Sequence, residues 1–244
     1  FLYVVDRATG EVLSADVYGP TNWATSVDLA TGRPVLNPDK ATGNRAARHV
    51  CPAAPGLKDW QPSAWSPRTR LLYIPHNNIC MDYEGVEANY IAGTPYVGAN
   101  VVMHGAERDS IRGMFTAWDP VARRAVFKIP ELFPVWSGAV VTAGDVVFYG
   151  TMDRWFKAID ARSGRELWRF QTGSGIIGQP ITYRGPDGRQ YVAILAGVGG
   201  WAGASALGIL PEEDPTIALG FGYATRDLPR YTAQGGTLYV FALP

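Results

Sequence analysis

Residues 158–168, which read A-I-D-A-R-S-G-R-E-L-W, constrain the fold of this 244-residue chain more than any other segment. They match the pattern A-x-D-x-x-[T/S]-G-x-x-x-W, in which Asp160 and a Ser-Gly pair close a hairpin turn. The acid bonds to its own loop backbone, and Gly164 supplies the positive φ that the turn needs. Ala158 and Trp168 flank the turn at a spacing that suits docking on a neighbouring sheet. We therefore predict an all-β fold, a β-propeller with blades of four antiparallel strands.

The same turn recurs in weaker form elsewhere in the chain. Asp6 and Asp28 each begin a D-x-A-T-G segment, and Asp119 begins D-P-V-A without the glycine. The step from Asp119 to Asp160 is 41 residues, which fits a blade repeat of roughly 40 to 50 residues. A single copy is no more than a good hairpin turn, whereas four copies favour a repeated architecture.

Composition narrows the class of protein. With 47% hydrophobic and 12% aromatic residues, the chain can bury a large core as one all-β domain. Lysine plus arginine and aspartate plus glutamate both total 22, so no broad basic surface is expected and nucleic acid is excluded as a partner. No run approaches the roughly 18 apolar residues of a membrane helix. Residues 1–6 read as a strand and not as a signal peptide, so we expect further sequence upstream.

Strand signals are β-branched and aromatic runs bounded by Gly, Pro or Asp, and no helical stripe competes with them. The least regular stretches, 32–65 and 200–236, are the expected binding loops. The predicted strands are Leu71–Pro75, Tyr96–Met103, Met114–Trp118, Ala139–Thr142, Val146–Gly150, Trp155–Ile159, Leu167–Phe170, Pro180–Tyr183, Tyr191–Ala196 and Thr237–Leu243.

A glycine-rich run, residues 197–203, formally matches a dinucleotide fingerprint. That interpretation requires a helix directly after the glycines, and the short, interrupted segment that follows does not predict one. The alternatives are a loop in which glycines let the backbone approach a flat ligand, with Trp201 as an aromatic edge, or a tight loop with a core tryptophan.

Other chemistry is sparse in this sequence. The two cysteines, Cys51 and Cys80, are either a disulfide or two buried thiols. A bridge would contribute roughly 3 to 4 kcal/mol by closing a loop of about 30 residues. The three histidines are widely spaced and are expected to be structural or solvated. The acidic cluster at residues 82, 84 and 87 is expected to be a polar loop without a cation.

Several segments together resemble the C-terminal part of the catalytic large subunit of pyrroloquinoline quinone (PQQ)-dependent methanol and alcohol dehydrogenases. The resemblance extends over the whole chain, and the C-M-D-Y run at residues 80–83 is closer to the lanthanide-type branch. The segments are C-P-A-A at 51–54, N-I-C-M-D-Y-E at 78–84, W-S-G-A at 136–139, T-A-G-D-V-V-F-Y-G-T at 142–151, G-S-G-I-I-G at 173–178 and the glycine run at 197–203.

The resemblance implies that residues 1–244 are the C-terminal part of one eight-bladed quinoprotein propeller, with the N-terminal blades missing. It implies PQQ and a calcium or lanthanide ion as cofactors, in a periplasmic enzyme that oxidises primary alcohols by hydride transfer to PQQ and passes electrons to cytochrome c. The remaining partners that it implies are the N-terminal half of the propeller and, as one option, a second copy in a homodimer. The metal ligands, the catalytic base and the catalytic arginine all belong to the missing half in this family, so we expect the chain alone to be inactive.

Individual positions carry over from the same resemblance. Cys51 and Cys80 match a family disulfide. Trp136, Gly200 and Trp201 match positions that line the PQQ pocket. Asp59 matches a position that is Asn in calcium-type enzymes, and a carboxylate can only accept where an amide can also donate. No catalytic or metal-ligating residue is assigned in this chain. The alternative function is a cofactor-free scaffold propeller of the outer-membrane assembly type, which has no quinone pocket.

Overall fold

The computed structural model describes residues 1–43, 45–94, 97–208, 210–211 and 213–242. Strands dominate the structure, as the sequence predicts. They are β1 Leu2–Val5, β2 Val12–Asp16, β3 Ala24–Asp28, β4 Arg33–Leu36, β5 Ala47–Val50, β6 Ala64–Ser66, β7 Leu71–Asn77, β8 Ile79–Gly85, β9 Ala99–Gly105, β10 Gly113–Asp119, β11 Arg124–Glu131, β12 Ala139–Val141, β13 Val146–Gly150, β14 Trp155–Asp160, β15 Glu166–Gln171, β16 Ile181–Arg184, β17 Gln190–Ala196 and β18 Thr237–Ala242.

The strands form antiparallel sheets that follow one another along the chain. Two sheets have four strands, in the orders β6-β7-β10-β11 and β12-β13-β14-β15, and they are complete blades as predicted. A three-stranded sheet, β16-β17-β18, follows them. The hairpins β1-β2 and β3-β4 precede them. A separate sheet, β5-β8-β9, combines β5, which precedes β6, with β8 and β9, which lie between β7 and β10 in the chain.

The predicted strands agree with the structure to within a few residues, and Val146–Gly150 is the same in both. Two predictions extend into residues that the structure does not describe. The strand predicted from Tyr96 begins at Ala99, and Tyr96 lies outside the described residues. The last strand ends at Ala242, and Leu243 lies outside them.

The repeated turn has the same construction at each copy. At Asp160, Oδ1 accepts hydrogen bonds from the amides of Arg162 and Ser163 at 3.1 and 2.8 Å, and the carbonyl accepts from Gly164 N at 2.9 Å. The carboxylates of Asp6, Asp28 and Asp119 accept in the same way. These bonds lower the pKa of the Asp160 carboxyl, the Ser163 hydroxyl contributing most.

The first complete blade packs face to face against the second. Phe115 on β10 stacks on Tyr149 of β13 with ring centroids 4.1 Å apart, and both side chains are fully buried. The Tyr149 hydroxyl donates to Glu131, and Lys157 Nζ lies 2.7 and 2.9 Å from the two oxygens of the same carboxylate. Burial raises the pKa of Glu131, against the opposing effect of Lys157. An apolar core with a buried ionic link therefore holds these two blades together, and a partly exposed pair of Arg68 with Asp145 also joins them at 3.2 Å.

The second blade packs in turn against β16-β17-β18. Phe156 lies in a buried cluster with Ile176 and Ile194. Trp168 pairs with Ala158 across β14 and β15 and meets Phe241 of β18 edge-on at 5.1 Å. Ala158 is buried, and Trp168 covers the junction, as the motif predicts.

The expectation of no helix is wrong in one region. Two short helices, α1 Gly200–Ala206 and α2 Phe221–Ala224, lie between β17 and β18, together with 3-10 turns at Ile217–Gly220 and Leu228–Arg230. A further 3-10 turn spans Pro38–Lys40. The part of the chain that the structure describes contains no helix long and apolar enough to cross a bilayer.

Candidate functional site

An aromatic cluster brings together two of the residues that the sequence singles out, Trp136 and Trp201. Their ring centroids are 6.3 Å apart. Phe221 of α2 lies against both: it stacks on Trp136 at 4.5 Å with an interplanar angle of 12°, and it meets Trp201 at 5.0 Å. Trp60 approaches Trp136 edge-on at 4.8 Å. The four rings form one cluster, which we call the Trp136 cluster.

Trp136 lies at the base of this cluster, just before β12, and exposes only 1% of its surface. Its Nε1 donates a 2.9 Å hydrogen bond to Oδ1 of Asn77. The next residue, Ser137, donates to the carbonyl of Gly178 at 2.9 Å and accepts from Gly150 N at 3.0 Å. The loop that carries Trp136 is therefore fixed by polar contacts to the neighbouring strands.

Trp201 is half-buried in the first turn of α1. Its Nε1 donates to the carbonyl of Ala218 at 2.5 Å. Ala218 has φ 51°, in the left-handed region that non-glycine residues rarely adopt. Such a conformation costs about 1 kcal/mol or more and persists only where the surroundings impose it. The strained carbonyl is aimed at the indole and holds it in place.

Gly200 is exposed and has φ 55°. A Cβ added there would have no atom of the described residues within 4 Å, so this backbone borders open space. The helix that begins here corrects the expectation that none follows the glycine run. Its inner face consists of Ala202, Gly203, Ser205 and Ala206, all buried. Because these side chains are small, the helix packs closely yet leaves no large apolar stripe in the sequence. Helix α1 has only seven residues, which is too short to support the dinucleotide-binding interpretation of the glycine run.

Asp59 and Trp60 lie on the loop before β6, and both are exposed. The amide of Asp59 donates to Oε1 of Gln61 at 3.1 Å, and Lys58 Nζ donates to the Gln61 carbonyl. Burial lowers the pKa of Lys58. Gln61 itself is fully buried, and its Nε2 has no hydrogen-bond partner among the described residues.

These residues suit one side of a site for a flat, polar-edged ring system. Trp60 and Trp201 offer accessible aromatic surface, Gly200 leaves room for close approach, and Asp59 offers a carboxylate that can only accept hydrogen bonds. Trp136 supports the accessible rings from beneath. Contact of Asp59, Trp136, Gly200 and Trp201 with PQQ stays a prediction.

The cysteines and histidines have structural roles. Cys51 and Cys80 form a disulfide, which confirms the bridged alternative. His49 lies beside the two sulfurs, but the disulfide leaves no thiolate to bind a metal. His76 is buried between the carbonyl of Asn77 and the hydroxyl of Thr116, each at 2.9 Å. Asp82 of the acidic cluster bonds to Arg48 and to the amide of His49.

Sequence reasoning missed three members of the site, and one of them is Trp60, which directly follows the predicted Asp59. Phe221 comes from the irregular stretch 200–236 and carries no motif. Asn77 ends β7, where an asparagine reads as an ordinary strand terminus. Only the three-dimensional structure brings them to Trp136, which is 85 and 59 residues away in the chain, respectively.

Successive antiparallel sheets, two of them complete four-stranded blades, define the class, a β-propeller. A family model described as the glucose/ethanol/alcohol dehydrogenase β-propeller domain, which carries the name PQQ, matches residues 113–192. The chain belongs to the PQQ-dependent methanol and alcohol dehydrogenase family.

Named relatives agree with this assignment. The chain is 50% identical to the lanthanide-dependent methanol dehydrogenase of Methylacidiphilum fumariolicum (strain SolV), over 100% of this chain and 41% of that protein. It is 39% identical to the quinoprotein ethanol dehydrogenase of Pseudomonas aeruginosa, over 100% of this chain and 38% of that protein. A solved europium-containing methanol dehydrogenase superposes with a TM-score of 0.94 at 50% identity, over 99% of this chain and 43% of that one. The chain spans about two fifths of the length of these relatives.

Proposed function

We propose that this chain is the C-terminal part of the propeller of a PQQ-dependent alcohol dehydrogenase and forms one wall of its cofactor pocket. The observation that carries the proposal is the convergence of Trp136 and Trp201 on Phe221, beside the open backbone of Gly200. High identity to lanthanide-dependent methanol dehydrogenases supports a primary alcohol as substrate and, of the two metals that the resemblance implies, a lanthanide ion.

An open apolar sheet face supports the proposal that further blades complete the propeller. On β16-β17-β18, Ile181 pairs with Ala193, which pairs with Val240, and Leu195 pairs with Leu238. Paired and alternate residues of a sheet share one face. The large side chains of this face are between 46% and 64% exposed, although the opposite face is buried against the second blade. An apolar face of this kind is the surface that a neighbouring blade would cover.

In such an enzyme, the bound quinone supplies the hydride acceptor for alcohol oxidation. The residues of this chain bind and orient it: Trp60 and Trp201 provide ring surface, Gly200 allows close approach, and Asp59 accepts a hydrogen bond from a ring-edge donor. Trp136 and Phe221 pack beneath the rings of Trp60 and Trp201 and exclude water from that side of the site. The groups that polarise the alcohol oxygen and remove its proton belong to the rest of the protein, so the chain alone should have no activity.

The proposed location is the periplasm, and the proposed electron acceptor is a cytochrome c. The Cys51–Cys80 disulfide supports an oxidising compartment, because such bonds are rare in the cytosol. A methanol dehydrogenase of Paracoccus denitrificans that is 38% identical to this chain is designated by its cytochrome c acceptor, which supports the same acceptor here.

The test uses the full-length gene product and the 244-residue chain in parallel. Each is incubated with PQQ and either Ca²⁺ or a lanthanide ion, and dye-linked oxidation of methanol and ethanol is measured. We expect activity from the full-length protein only. Strong activity from the 244-residue chain would refute the proposal that the reacting groups lie elsewhere. Absence of quinone binding to the full-length protein would favour the scaffold alternative.

A further inference from the structure

Asn77, the last residue of β7, is fully buried and makes hydrogen bonds in two directions. Its Oδ1 accepts from Trp136 Nε1 at 2.9 Å, and its Nδ2 donates to the carbonyl of Gly56 at 2.8 Å. Its backbone amide donates to the carbonyl of Leu57 at 2.7 Å. One side chain therefore joins the indole of Trp136 to the loop that leads into Asp59 and Trp60.

The two partners of Asn77 belong to separate parts of the proposed pocket. Trp136 comes from the connection between β11 and β12, whereas Gly56 and Leu57 begin the loop that presents Asp59. The rings of Trp60 and Trp136 meet at 4.8 Å, so the position of one limits the position of the other. A displacement of Asn77 would thus move both the buried Trp136 indole and the exposed Asp59–Trp60 loop.

An asparagine is suited to this place because a single planar amide offers both an acceptor and a donor. Aspartate would accept from the indole but would repel the Gly56 carbonyl and bury a charge. Alanine would leave the Trp136 N–H and the Gly56 carbonyl without partners, and unpaired buried polar groups are costly. Only a small amide satisfies both bonds at once.

We propose that Asn77 is a positioning residue for the quinone pocket: it fixes the Trp136 indole and the Asp59–Trp60 loop relative to one another. This inference rests on the proposed function, and it adds a residue that has no contact of its own with the cofactor. Replacing Asn77 should weaken quinone binding by displacing other groups.

The experiment measures the dissociation constant of PQQ for the full-length apo protein, from quenching of tryptophan fluorescence and from the absorption of the bound quinone. The variants are Asn77→Ser, Trp136→Phe and the double variant. Serine leaves space for a water molecule that can hydrogen-bond to the Trp136 N–H and the Gly56 carbonyl, so the fold should persist. Loss of the amide should raise the dissociation constant about tenfold, the factor that corresponds to one buried hydrogen bond. In the Trp136→Phe background, which has no indole donor, the same substitution should have a clearly smaller effect.

Asn78→Ser is the matched control. Asn78 is the next residue, and its Nδ2 donates to the carbonyl of Ile111 at 2.8 Å and not to a residue of the Trp136 cluster. This variant should lower the thermal midpoint without changing the quinone dissociation constant. If the wild-type protein does not bind quinone, the proposed function is wrong. If it does bind, two results overturn the role of Asn77: an Asn77→Ser protein that binds as tightly as wild type, or one that no longer folds and so shows a purely structural role.

Discussion

Gly164 lies directly against the ring of Phe127, and a Cβ on this glycine would come within 2.6 Å of Phe127 Cδ2. The two residues belong to different blades, since Phe127 lies on β11 and Gly164 lies in the turn between β14 and β15. The glycine of the repeated turn therefore has two functions. It adopts a φ of 73°, and it leaves the space into which the neighbouring blade inserts a phenylalanine.

We predict that Gly164→Ala destabilises the protein through both effects. The positive φ should cost about 1 kcal/mol and overpacking against Phe127 a further 1 to 3 kcal/mol. Gly10→Ala is the control: Gly10 has φ 78° in an equivalent turn, with no atom of the described residues within 4 Å of its added Cβ. Urea unfolding of the two variants separates backbone strain from the blade contact. Equal losses of stability would mean that the contact with Phe127 contributes nothing.

Much of the fold follows from local patterns, because the repeated turn and the strand alternation are local properties. The turn that begins at Asp119 shows a limit of the local pattern. Arg123 occupies the position that glycine has in the other copies, adopts φ 58°, and pairs through its guanidinium with Asp16. The separate sheet β5-β8-β9 could not be predicted, because no short-range signal tells which strands pair. Helix α1 was missed because its buried face is made of small residues.

The candidate site was predictable in part. The resemblance pointed to Trp136 and Trp201, and the structure brings them together. The residues that hold them were not predictable, because each acts across a large separation in the chain. Ala218 reaches Trp201 only through a left-handed turn in an irregular segment. Arg112 reaches Asp227 across 115 residues. Interactions of this kind leave no periodicity and no motif.

Burial of His76 should make stability depend on pH. Burial lowers the pKa of His76 from 6.5 to about 4 in the folded protein. Between these values the unfolded chain binds a proton that the folded protein excludes. The free energy of unfolding should therefore decrease as pH falls from about 6.5 to about 4, by up to about 3 kcal/mol from this residue.

The measurement for His76 is urea unfolding at several pH values for wild type and His76→Gln. Glutamine can still donate to the Asn77 carbonyl and accept from Thr116 but does not titrate. The variant should be less stable at pH 7.5 and should show a flatter profile between pH 6.5 and 4. Parallel profiles for the two proteins would show that His76 does not contribute to the pH dependence.

The Cys51–Cys80 disulfide should contribute about 2 to 4 kcal/mol to the free energy of unfolding, because it restricts the unfolded chain. Both sulfurs are buried, so reduction should require unfolding or a strong reductant. Unfolding is compared with and without dithiothreitol for wild type and for the double variant Cys51→Ser, Cys80→Ser. The reductant should destabilise wild type alone. A reductant effect of equal size on the double variant would point to another cause.

The buried ion pair of Arg112 and Asp227 should be essential for the stability of the segment that carries Phe221. Arg112 exposes 1% of its surface, and its Nη1 and Nη2 lie 2.5 and 2.9 Å from the Asp227 carboxylate. Nη1 also donates to the carbonyl of Ala224 in α2. In Asp227→Asn the buried guanidinium faces a neutral partner, so we expect the free energy of unfolding to decrease by about 2 to 4 kcal/mol. The decrease should be smaller than for loss of a fully buried partner, because Asp227 is partly exposed.

A neighbouring pair provides the control for this prediction. Arg226 and Asp109 join the same two parts of the chain at 3.0 Å, but both side chains are at least 32% exposed. Because water already screens this pair, Asp109→Asn should cost at most about 1 kcal/mol. The free energy of unfolding of each variant is measured by urea denaturation, with tryptophan fluorescence as the probe of the Trp136 cluster. Equal losses for the two variants would show that burial of Arg112 does not set the strength of its bond to Asp227. A red-shifted emission in Asp227→Asn alone would show that the ion pair keeps α2 against Trp136, since release of Phe221 would admit water to the indoles.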